Sequence, residues 1–307
     1  MAIDLSTDIC GVKLNNPTVL ASGILGVTPA SWKNVVDNGA GAITTKSISQ
    51  NPRTGHPNPV MLTYHDGMLN AVGLSNSGAQ DSLKKIKEFK KICDAPLIVN
   101  VVNGTIKEFG DTVELLSEAK PDLFEINVSC PNVDDEWGKP FACDPDLSAQ
   151  VTKEVKSRTD IPVLIKLSPN VANIAIIAKA VEAAGADGIS AINTAGPGMA
   201  IDITTRSPIL ANQTGGISGP ALKPLAVGCV FQIYKAVKIP ILGIGGVLTG
   251  EDAVEMIMAG ARAVSIGTGV YYRGEDIFKK VSKEIEAFMQ KHNYEKITDL
   301  IGAAHQS

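Results

Sequence analysis

One stretch organises the rest of the chain, and it reads Leu123-Phe124-Glu125-Ile126-Asn127-Val128-Ser129-Cys130-Pro131-Asn132. Its first six residues form an apolar run, interrupted by Glu125 and Asn127, that predicts a buried β-strand. Ser129 and Cys130 follow at once, and Pro131 ends the strand because proline cannot continue a ladder of backbone hydrogen bonds. A strand that ends in an amide, a hydroxyl and a thiol suits a functional site, although a lone cysteine beside a turn is more commonly a buried core residue.

Seven other short apolar runs resemble this strand and alternate with amphipathic segments of helical period. The eight predicted strands are Thr18–Ser22, Ala42–Lys46, Pro96–Val102, Leu123–Val128, Pro162–Leu167, Gly188–Asn193, Pro240–Gly245 and Ala263–Gly267. The predicted helices include Ser82–Ile92, Thr112–Ala119, Asp146–Arg158, Asn173–Ala184 and a tail helix, Glu275–Gln290. Apolar strands that are linked by helices pair in parallel, and eight such units predict an α/β fold, the (β/α)8 TIM barrel. A doubly wound open sheet is the alternative, but the GxGxxG fingerprint is absent after the first strand.

Several segments exceed what a minimal barrel needs. Ile3–Leu5 and Ile9–Leu14 flank turn residues and predict an N-terminal β-hairpin that plugs the barrel floor. Three long loop insertions leave the C-terminal ends of strands: Ser47–Asp81, Cys130–Pro145 and Thr194–Leu222. That face is the one on which barrel enzymes carry their active sites. Because no short repeat and no low-complexity linker appears, residues 1–307 are expected to form a single domain.

The composition argues against several classes of protein. Of the 307 residues, 44% are apolar and 20% are charged, so the chain can bury a large core. A net charge of −4 and an aromatic content of 5% argue against a nucleic-acid or membrane surface. The five cysteines and four histidines show neither a CxxC pair nor ligand spacing, so no metal site and no disulfide framework are expected. With no visible signal peptide and no spanning apolar run of roughly 20 residues, the chain is expected to be a soluble cytoplasmic protein.

Polar side chains and glycines stand at the C-terminal ends of the predicted strands. They are Ser22, Lys46, Ser47, Asn100, Asn127, Lys166, Asn193, Thr194, Gly245, Gly246, Gly267 and Thr268. Each type also has a purely structural explanation, since a buried lysine can pair with a carboxylate, an asparagine can cap a turn and a glycine can form one. Their convergence on one barrel mouth nevertheless indicates a binding site. The glycines after the last two strands lie where barrels bind phosphate through backbone N–H groups, which predicts a phosphorylated ligand.

Three kinds of enzyme chemistry are considered for the residues at this end of the barrel. A Ser-His-Asp hydrolase lacks both the GxSxG elbow and a histidine at a strand end. A Schiff-base aldolase or lyase can use Lys46 or Lys166, but the acidic pair that many aldolases place beside the lysine is missing. A flavin enzyme fits better, because a lysine stabilises the negative N1–C2=O edge of reduced flavin, asparagines hold a planar imide-like substrate and a thiolate acts as base. A catalytically silent binding barrel is the remaining alternative.

Seven motifs carry a resemblance to a known family. They are Thr44-Thr45-Lys46-Ser47, Asn70-Ala71-Val72-Gly73-Leu74-Ser75-Asn76, Asn127-Val128-Ser129-Cys130-Pro131-Asn132, Ile165-Lys166-Leu167-Ser168-Pro169, Ile192-Asn193-Thr194, Gly215-Gly216-Ile217-Ser218-Gly219-Pro220 and Gly243-Ile244-Gly245-Gly246. Each is weak alone, but in this order and spacing they are specific, and nearly the whole chain resembles class 1 dihydroorotate dehydrogenase. The cysteine at position 130 resembles class 1, whereas the membrane-associated class 2 has a serine as its base.

The resemblance implies FMN-dependent oxidation of dihydroorotate to orotate in pyrimidine (UMP) biosynthesis. Cys130 would be the base that removes a proton from C5, and hydride would pass from C6 to N5 of FMN. The implied FMN-binding residues are Ser22, Lys46, Ser47, Asn100, Asn127, Lys166, Ile192, Gly219, Gly245, Gly246, Gly267 and Thr268. The implied substrate-binding residues are Lys46, Asn70, Ala71, Val72, Gly73, Leu74, Asn127, Asn132, Asn193 and Thr194. The loop Cys130–Pro145 would act as a lid that excludes water.

One further segment, Gly198-Met199-Ala200-Ile201-Asp202, resembles the class 1B form. That class implies a partner subunit that carries FAD and a 2Fe-2S cluster and passes electrons to NAD+. The implied assembly is a heterotetramer of two catalytic and two electron-transfer subunits. The alternative is class 1A, a homodimer that uses fumarate. Two segments depart from the family pattern, the acidic Val133–Lys139 of the lid and Val101–Gly104 after the third strand, and neither includes the implied base.

Overall fold

A closed barrel of eight parallel strands forms the centre of the molecule. The structure is a computed structural model that describes residues 3–128 and 141–306. Its strands, in chain order, are β1 (Thr7–Ile9), β2 (Val12–Leu14), β3 (Thr18–Leu20), β4 (Ala42–Thr44), β5 (Met61–Tyr64), β6 (Gly67–Asn70), β7 (Leu97–Val101), β8 (Leu123–Asn127), β9 (Val163–Leu167), β10 (Gly188–Ala191), β11 (Ala195–Met199), β12 (Ile201–Asp202), β13 (Ser207–Pro208), β14 (Thr214–Ser218), β15 (Ile241–Ile244) and β16 (Ala263–Ile266). The barrel runs β3-β4-β7-β8-β9-β10-β15-β16 and closes on β3. Each barrel strand lies within one of the eight predicted runs, so the predicted (β/α)8 barrel is confirmed.

Helices follow the barrel strands and form the outer layer. They are α1 (Pro29–Asp37), α2 (Ala79–Ile92), α3 (Ile106–Ser117), α4 (Pro145–Lys156), α5 (Ile174–Ala183), α6 (Lys223–Ala236), α7 (Gly250–Met258), α8 (Gly269–Arg273) and α9 (Ile277–His292). Short 3-10 turns are Phe141–Cys143, Pro220–Leu222, Ile297–Leu300 and Ala303–His305. The main core lies between the helices and the outer face of the barrel, where Phe89, Phe109 and Phe278 are fully buried. No helix within the described ranges combines the length and the apolar character that crossing a membrane requires.

The N-terminal hairpin closes the bottom of the barrel. β1 pairs antiparallel with β2, and Ile9 and Leu14 are buried in a cluster with the first inward-facing residues of the barrel strands. Those floor residues are Val19, Ala42, Ile98, Leu123, Leu164, Leu242 and Ala263. The predicted hairpin and its position are therefore confirmed. The prediction was wrong for Ile3–Leu5, because Asp4 in that segment pairs with Lys296 near the C-terminus and not with the hairpin.

Two of the long insertions meet in one antiparallel sheet at the C-terminal end of the barrel. β5 and β6 come from the first insertion, β11 and β14 come from the third, and the sheet has the order β11-β14-β6-β5. At its centre, Gly216 of β14 lies opposite Asn70 of β6. The sequence predicted both insertions at this face, and the structure adds that they pair with each other. Most of the second predicted insertion lies outside the described residues.

Inside the barrel, the side chains change from apolar to polar above the floor. Side chains alternate between the two faces of a strand, so the residue two positions after each floor residue also faces the barrel interior. We call six of these residues the interior polar layer: Thr44, Asn100, Glu125, Lys166, Ser190 and Ser265. The strand register places Asn100 beside Glu125 and Ser190 beside Lys166. The fold therefore places polar groups in the barrel interior, directly on the approach to its C-terminal mouth.

Candidate active site

A cavity of about 450 Å³ opens at the C-terminal end of the barrel. This volume lies in the range of small-molecule sites. Polar side chains that line it are Ser22, Lys46, Ser47, Asn70, Asn127, Lys166, Asn193, Thr194, Ser218, Ser265 and Thr268. Apolar side chains that line it include Leu25, Met61, Met68, Leu74, Ile192, Leu222, Leu248 and Tyr271. The sheet built from the two insertions supplies one wall, through residues such as Met68 and Ser218.

Two lysines from different strands face this cavity. Lys46 follows β4, and its backbone N–H donates to the carbonyl of Gly26 at 2.9 Å, which fixes the turn that carries it. Burial lowers the pKa of the Lys46 amine, because removal from water disfavours the charged form. Lys166 stands on β9 and is only 5% exposed. Two cations in one partly closed cavity favour a ligand that carries or develops negative charge.

The carboxylate of Glu125 lies directly behind Lys166. Glu125 Oε1 is 3.4 Å from Lys166 Nζ and accepts a hydrogen bond from Asn100 Nδ2 at 2.5 Å. Lys166 is thus both a paired interior lysine and a cavity residue, so the two explanations of this lysine do not exclude each other. The sequence showed Glu125 as an acidic residue within an apolar strand, but we predicted no role for it.

Asparagine amides gather on one side of the cavity. Asn193 Nδ2 donates to Asn127 Oδ1 at 3.3 Å, and Asn193 Oδ1 accepts from the backbone N–H of Thr194 at 2.8 Å. Across the cavity, Asn70 Nδ2 donates to the carbonyl of Gly216 at 3.4 Å. These contacts orient the amides, and amides present donors and acceptors in one plane. The arrangement suits a flat ligand that has both N–H and C=O groups.

The turn after Asn70 is held from behind by a histidine. Gly73 and Leu74 have φ values of 73° and 58°, so the backbone turns sharply here. His56 Nδ1 lies 3.1 Å from the carbonyl of Ala71, and the backbone N–H of His56 donates to the carbonyl of Val72 at 3.1 Å. A Cβ added at Gly73 would lie 2.8 Å from the imidazole ring. His56 therefore fixes the position of the predicted substrate-binding turn without lining the cavity.

Glycines and hydroxyls form the rim at the ends of β15 and β16. Gly245 and Gly246 have φ values of 133° and 76°, a backbone conformation that glycine adopts readily and other residues rarely do. A Cβ added at Gly246 would lie 2.5 Å from the Cβ of Lys223. The Ser265 hydroxyl lines the cavity, is buried, and has no hydrogen-bond partner among the described residues. A bare backbone rim with an unsatisfied hydroxyl beneath it fits the phosphate and ribityl groups of FMN.

Most of the residues predicted for the site line this one cavity. They are Ser22, Lys46, Ser47, Asn70, Val72, Gly73, Leu74, Asn127, Lys166, Ile192, Asn193, Thr194, Gly219, Gly245, Gly246, Gly267 and Thr268. Two others do not reach it: Asn100 lies in the interior polar layer, and Ala71 is fully buried behind the turn. Cys130 and Asn132, and with them the predicted base and most of the lid, lie outside the described residues. In the part of the chain that the structure describes, no three His, Cys, Asp or Glu side chains group as metal ligands.

Comparison with known proteins identifies the family. Residues 4–289 match the family model described as dihydroorotate dehydrogenase. This chain belongs to the dihydroorotate dehydrogenase family. The family resemblance predicted from the seven motifs is therefore confirmed.

Relatives within the dihydroorotate dehydrogenase family are similar along nearly the whole chain. A protein of Methanosarcina mazei is 48% identical over 299 residues, covering 97% of this chain and 94% of that protein. A protein of Methanocaldococcus jannaschii is 45% identical over 305 residues, covering 98% of both. Both are named dihydroorotate dehydrogenase B (NAD(+)), catalytic subunit.

A solved structure supports the fold. The crystal structure of DHODH from Eimeria tenella in complex with ferulenol superposes with a TM-score of 0.86, covering 99% of this chain and 89% of that chain. The two sequences are only 22% identical, so this likeness concerns the barrel architecture alone.

Proposed function

We propose that this chain is the FMN-dependent catalytic subunit that oxidises dihydroorotate to orotate and delivers the electrons to NAD+ through a partner subunit. The observation that carries the proposal is the single cavity lined by Lys46, Lys166 and the amides of Asn70, Asn127 and Asn193. It stands in a chain whose relatives are named NAD(+)-linked catalytic subunits of this enzyme. The proposed place of the reaction is pyrimidine biosynthesis.

The rim and the lysines support a flavin in this cavity. FMN, when bound, supplies the two-electron acceptor for the oxidation. Backbone N–H groups at Gly245 and Gly246, with the hydroxyl of Thr268, would hold its phosphate end. Thr268 Oγ1 donates to Ser218 Oγ at 2.8 Å, which orients this hydroxyl at the rim. Lys166 would place its ammonium where the flavin ring gains negative charge, since preorganised charge at that position stabilises the product of electron transfer.

The amides and the second lysine support the substrate assignment. Asn70, Asn127 and Asn193 would bind the alternating N–H and C=O groups of the pyrimidine ring, and Lys46 would bind its carboxylate. Burial lowers the pKa of Lys46, and an anionic ligand would oppose this effect because a nearby negative charge favours the charged amine. Substrate carboxylate and flavin would thus each face one of the two lysines.

The proposed base is Cys130, three residues after Asn127 in the sequence. A free thiol has a pKa of about 8.5, so nearby amides or a lysine must favour its thiolate, or the two bond cleavages must be concerted. Replacing Cys130 by Ala is expected to leave a yellow, FMN-bound protein whose flavin is no longer reduced by dihydroorotate at neutral pH. General-base removal accounts for a loss of roughly 10²- to 10⁴-fold. Undiminished flavin reduction by this variant contradicts the assignment.

A partner subunit with FAD and a 2Fe-2S cluster would connect the site to NAD+, in a heterotetramer of two catalytic and two electron-transfer chains. Co-purification from the native host tests this directly, because the partner brings iron, sulfide and FAD with it. A homodimer that is active with fumarate supports class 1A instead. A colourless protein that binds no added FMN contradicts flavin chemistry altogether. Trapping of substrate on a lysine by borohydride indicates the alternative lyase.

A further inference from the structure

An asparagine just after the predicted substrate-binding turn, residues 70–74, joins three separate segments of the chain. Asn76 Nδ2 donates to the carbonyl of Leu74 at 2.7 Å and to Ser49 Oγ at 2.8 Å. Asn76 Oδ1 accepts from the backbone N–H groups of Gly78 at 2.8 Å and Ser49 at 3.3 Å. Because a carbonyl can only accept and a backbone N–H can only donate, these partners fix the orientation of the amide. Asn76 does not line the cavity, and the proposed chemistry gives it no role.

Ser49 gives this asparagine a rigid support. It follows the cavity residue Lys46 by three positions and is only 4% exposed. Ile48, directly before it, forms a parallel bridge with Val101 at the end of β7, so the barrel pairing continues up to this point. Through Ser49, Asn76 therefore connects the turn to the barrel and to the segment that carries Lys46.

Leu74 is the part of the turn that needs such support. Its φ of 58° lies in the left-handed region, which a residue with a Cβ seldom adopts, and its side chain lines the cavity. Strained conformations of this kind persist only where the surrounding structure holds them. Rotation of Leu74 to a negative φ would turn its carbonyl away from the Asn76 amide and break that hydrogen bond. The hydrogen bond therefore favours the left-handed conformation.

We propose that Asn76 is a positioning residue for substrate binding, which holds Leu74 in its left-handed conformation and keeps the turn against the ligand. This inference rests on the proposed function, because it takes the pyrimidine as the ligand of the turn. Without the Asn76 amide, the turn relaxes in the empty cavity, and ligand binding must restore the strained conformation. The affinity for substrate and product then falls by the cost of that strain, which corresponds to roughly 5- to 30-fold.

Asn103 provides a matched control. Its Oδ1 accepts from the backbone N–H of Gln50, the neighbour of Ser49, at 2.9 Å. Its Nδ2 donates to the carbonyl of Glu108 and to the hydroxyl of Thr112, each at 3.1 Å. Asn103 thus makes the same kinds of hydrogen bond and supports the same segment, but none of these partners belongs to the turn.

Titration of orotate into the FMN-loaded full-length chain, followed by the flavin spectrum, tests the proposal. We expect Asn76→Ala to weaken orotate binding by the factor given above and Asn103→Ala to keep wild-type affinity, although both variants have a lower Tm. FMN affinity is expected to be unchanged in both, because the rim at β15 and β16 is intact. Wild-type orotate affinity in Asn76→Ala overturns the proposal. An equal loss in Asn103→Ala overturns it as well, since Asn76 would then only stabilise the segment.

Two further variants keep this test decisive. If Asn76→Ala does not fold, Asn76→Asp retains the acceptor for the Gly78 and Ser49 N–H groups and lacks only the donor, and the same loss of orotate affinity is expected. Leu74→Gly tests the conformational step, because glycine adopts positive φ about as readily as negative φ. In a Leu74→Gly chain, Asn76→Ala should therefore cost much less orotate affinity than in wild type. Equal costs in the two backgrounds overturn the action through Leu74.

Hydrogen exchange in the chain without any ligand separates this inference from the proposed function. The backbone N–H of His56 donates to the carbonyl of Val72 in the turn at 3.1 Å, so its exchange reports on the position of the turn. We expect this N–H to exchange faster in Asn76→Ala and at the wild-type rate in Asn103→Ala. Unchanged exchange in Asn76→Ala contradicts the positioning role. A wild-type chain that binds no orotate contradicts the proposed function, whereas the exchange rate concerns the turn alone.

Discussion

Replacing Gly246 by Ala is expected to weaken FMN binding in addition to destabilising the fold. Gly246 has a φ of 76°, and an alanine in this left-handed region costs about 1–2 kcal/mol. The added Cβ would also lie 2.5 Å from Lys223 Cβ and 2.7 Å from Lys223 N. Overlap of this kind in a packed region costs about 1–3 kcal/mol. In the FMN-free protein we expect the turn to move away from Lys223 and relieve the overlap.

FMN binding requires the original turn, so it restores the overlap. We therefore expect FMN binding to lose the free-energy cost of the overlap alone, about 1–3 kcal/mol. At 1.4 kcal/mol per factor of ten, this loss corresponds to a roughly 5- to 150-fold lower affinity for FMN. Titration of FMN into the FMN-free protein, followed by flavin fluorescence, measures this loss.

Gly185 provides the matched control. Its φ is 98°, but nothing lies within 4 Å of an added Cβ, and it is not among the cavity-lining residues. Gly185→Ala is therefore expected to introduce the same kind of backbone strain without the overlap. We expect it to lower the free energy of unfolding by about 1–2 kcal/mol and to leave the affinity for FMN unchanged. If Gly246→Ala binds FMN as tightly as wild type, the rim does not hold the cofactor in the way we propose. Equal losses of affinity in the two variants refute the reasoning as well.

Three further predictions concern the floor, the cavity lysine and the substrate turn. Leu14→Ala is expected to lower the free energy of unfolding by about 3–5 kcal/mol in chemical denaturation, because Leu14 is 1% exposed in the barrel floor. Orotate binding is expected to weaken as pH rises through the lowered pKa of Lys46, since the amine then loses the charge that attracts the carboxylate; calorimetric titration across the alkaline range measures it. His56→Ala is expected to raise KM for dihydroorotate by about fivefold with kcat nearly unchanged, because one hydrogen bond of about 1 kcal/mol to the Ala71 carbonyl is lost.

Each of these predictions has a control within the chain. Lys13 is the exposed neighbour of Leu14 on the same strand, and Lys13→Ala should leave stability unchanged. Lys46→Met should remove the pH dependence of orotate binding, and a dependence that persists in this variant assigns it to another group. His65 is exposed, so His65→Ala should have wild-type kinetics. A fall in kcat with constant KM in His56→Ala would show that the turn does more than bind substrate.

The barrel could be predicted from the sequence because its strands are buried on both faces. Such strands appear as short apolar runs, and runs such as Leu123–Val128 need no knowledge of distant partners. The strand-end residues were equally accessible, since parallel strands that close into a barrel bring their C-terminal ends to one mouth. Lys46, Lys166 and Asn193 illustrate this: each is isolated along the chain, and all three line one cavity.

Other features depend on contacts that no local pattern records. Asn70 and Gly216 are 146 positions apart in sequence, so nothing in either insertion indicates that they pair in one sheet. Asn100 also stands near a strand end, but its side chain does not line the cavity and donates to Glu125. Ile3–Leu5 has the apolar character of a strand, yet Asp4 pairs with the distant Lys296. In each case a contact with a residue that is distant in sequence determines the role of the residue, and the local sequence pattern does not predict that contact.

The long separation between the two halves of the cavity wall has a consequence for biosynthesis. A nascent chain emerges from its N-terminus, and contacts between distant segments form late because loop closure opposes them. The wall needs both β6 and β14, and the rim needs β15 and β16, of which β16 also seals the barrel against β3. A growing polypeptide therefore has no finished cavity until β16 has been translated. On the proposed function, FMN would bind only after the barrel has closed, and it would then stabilise only the chains that have closed it.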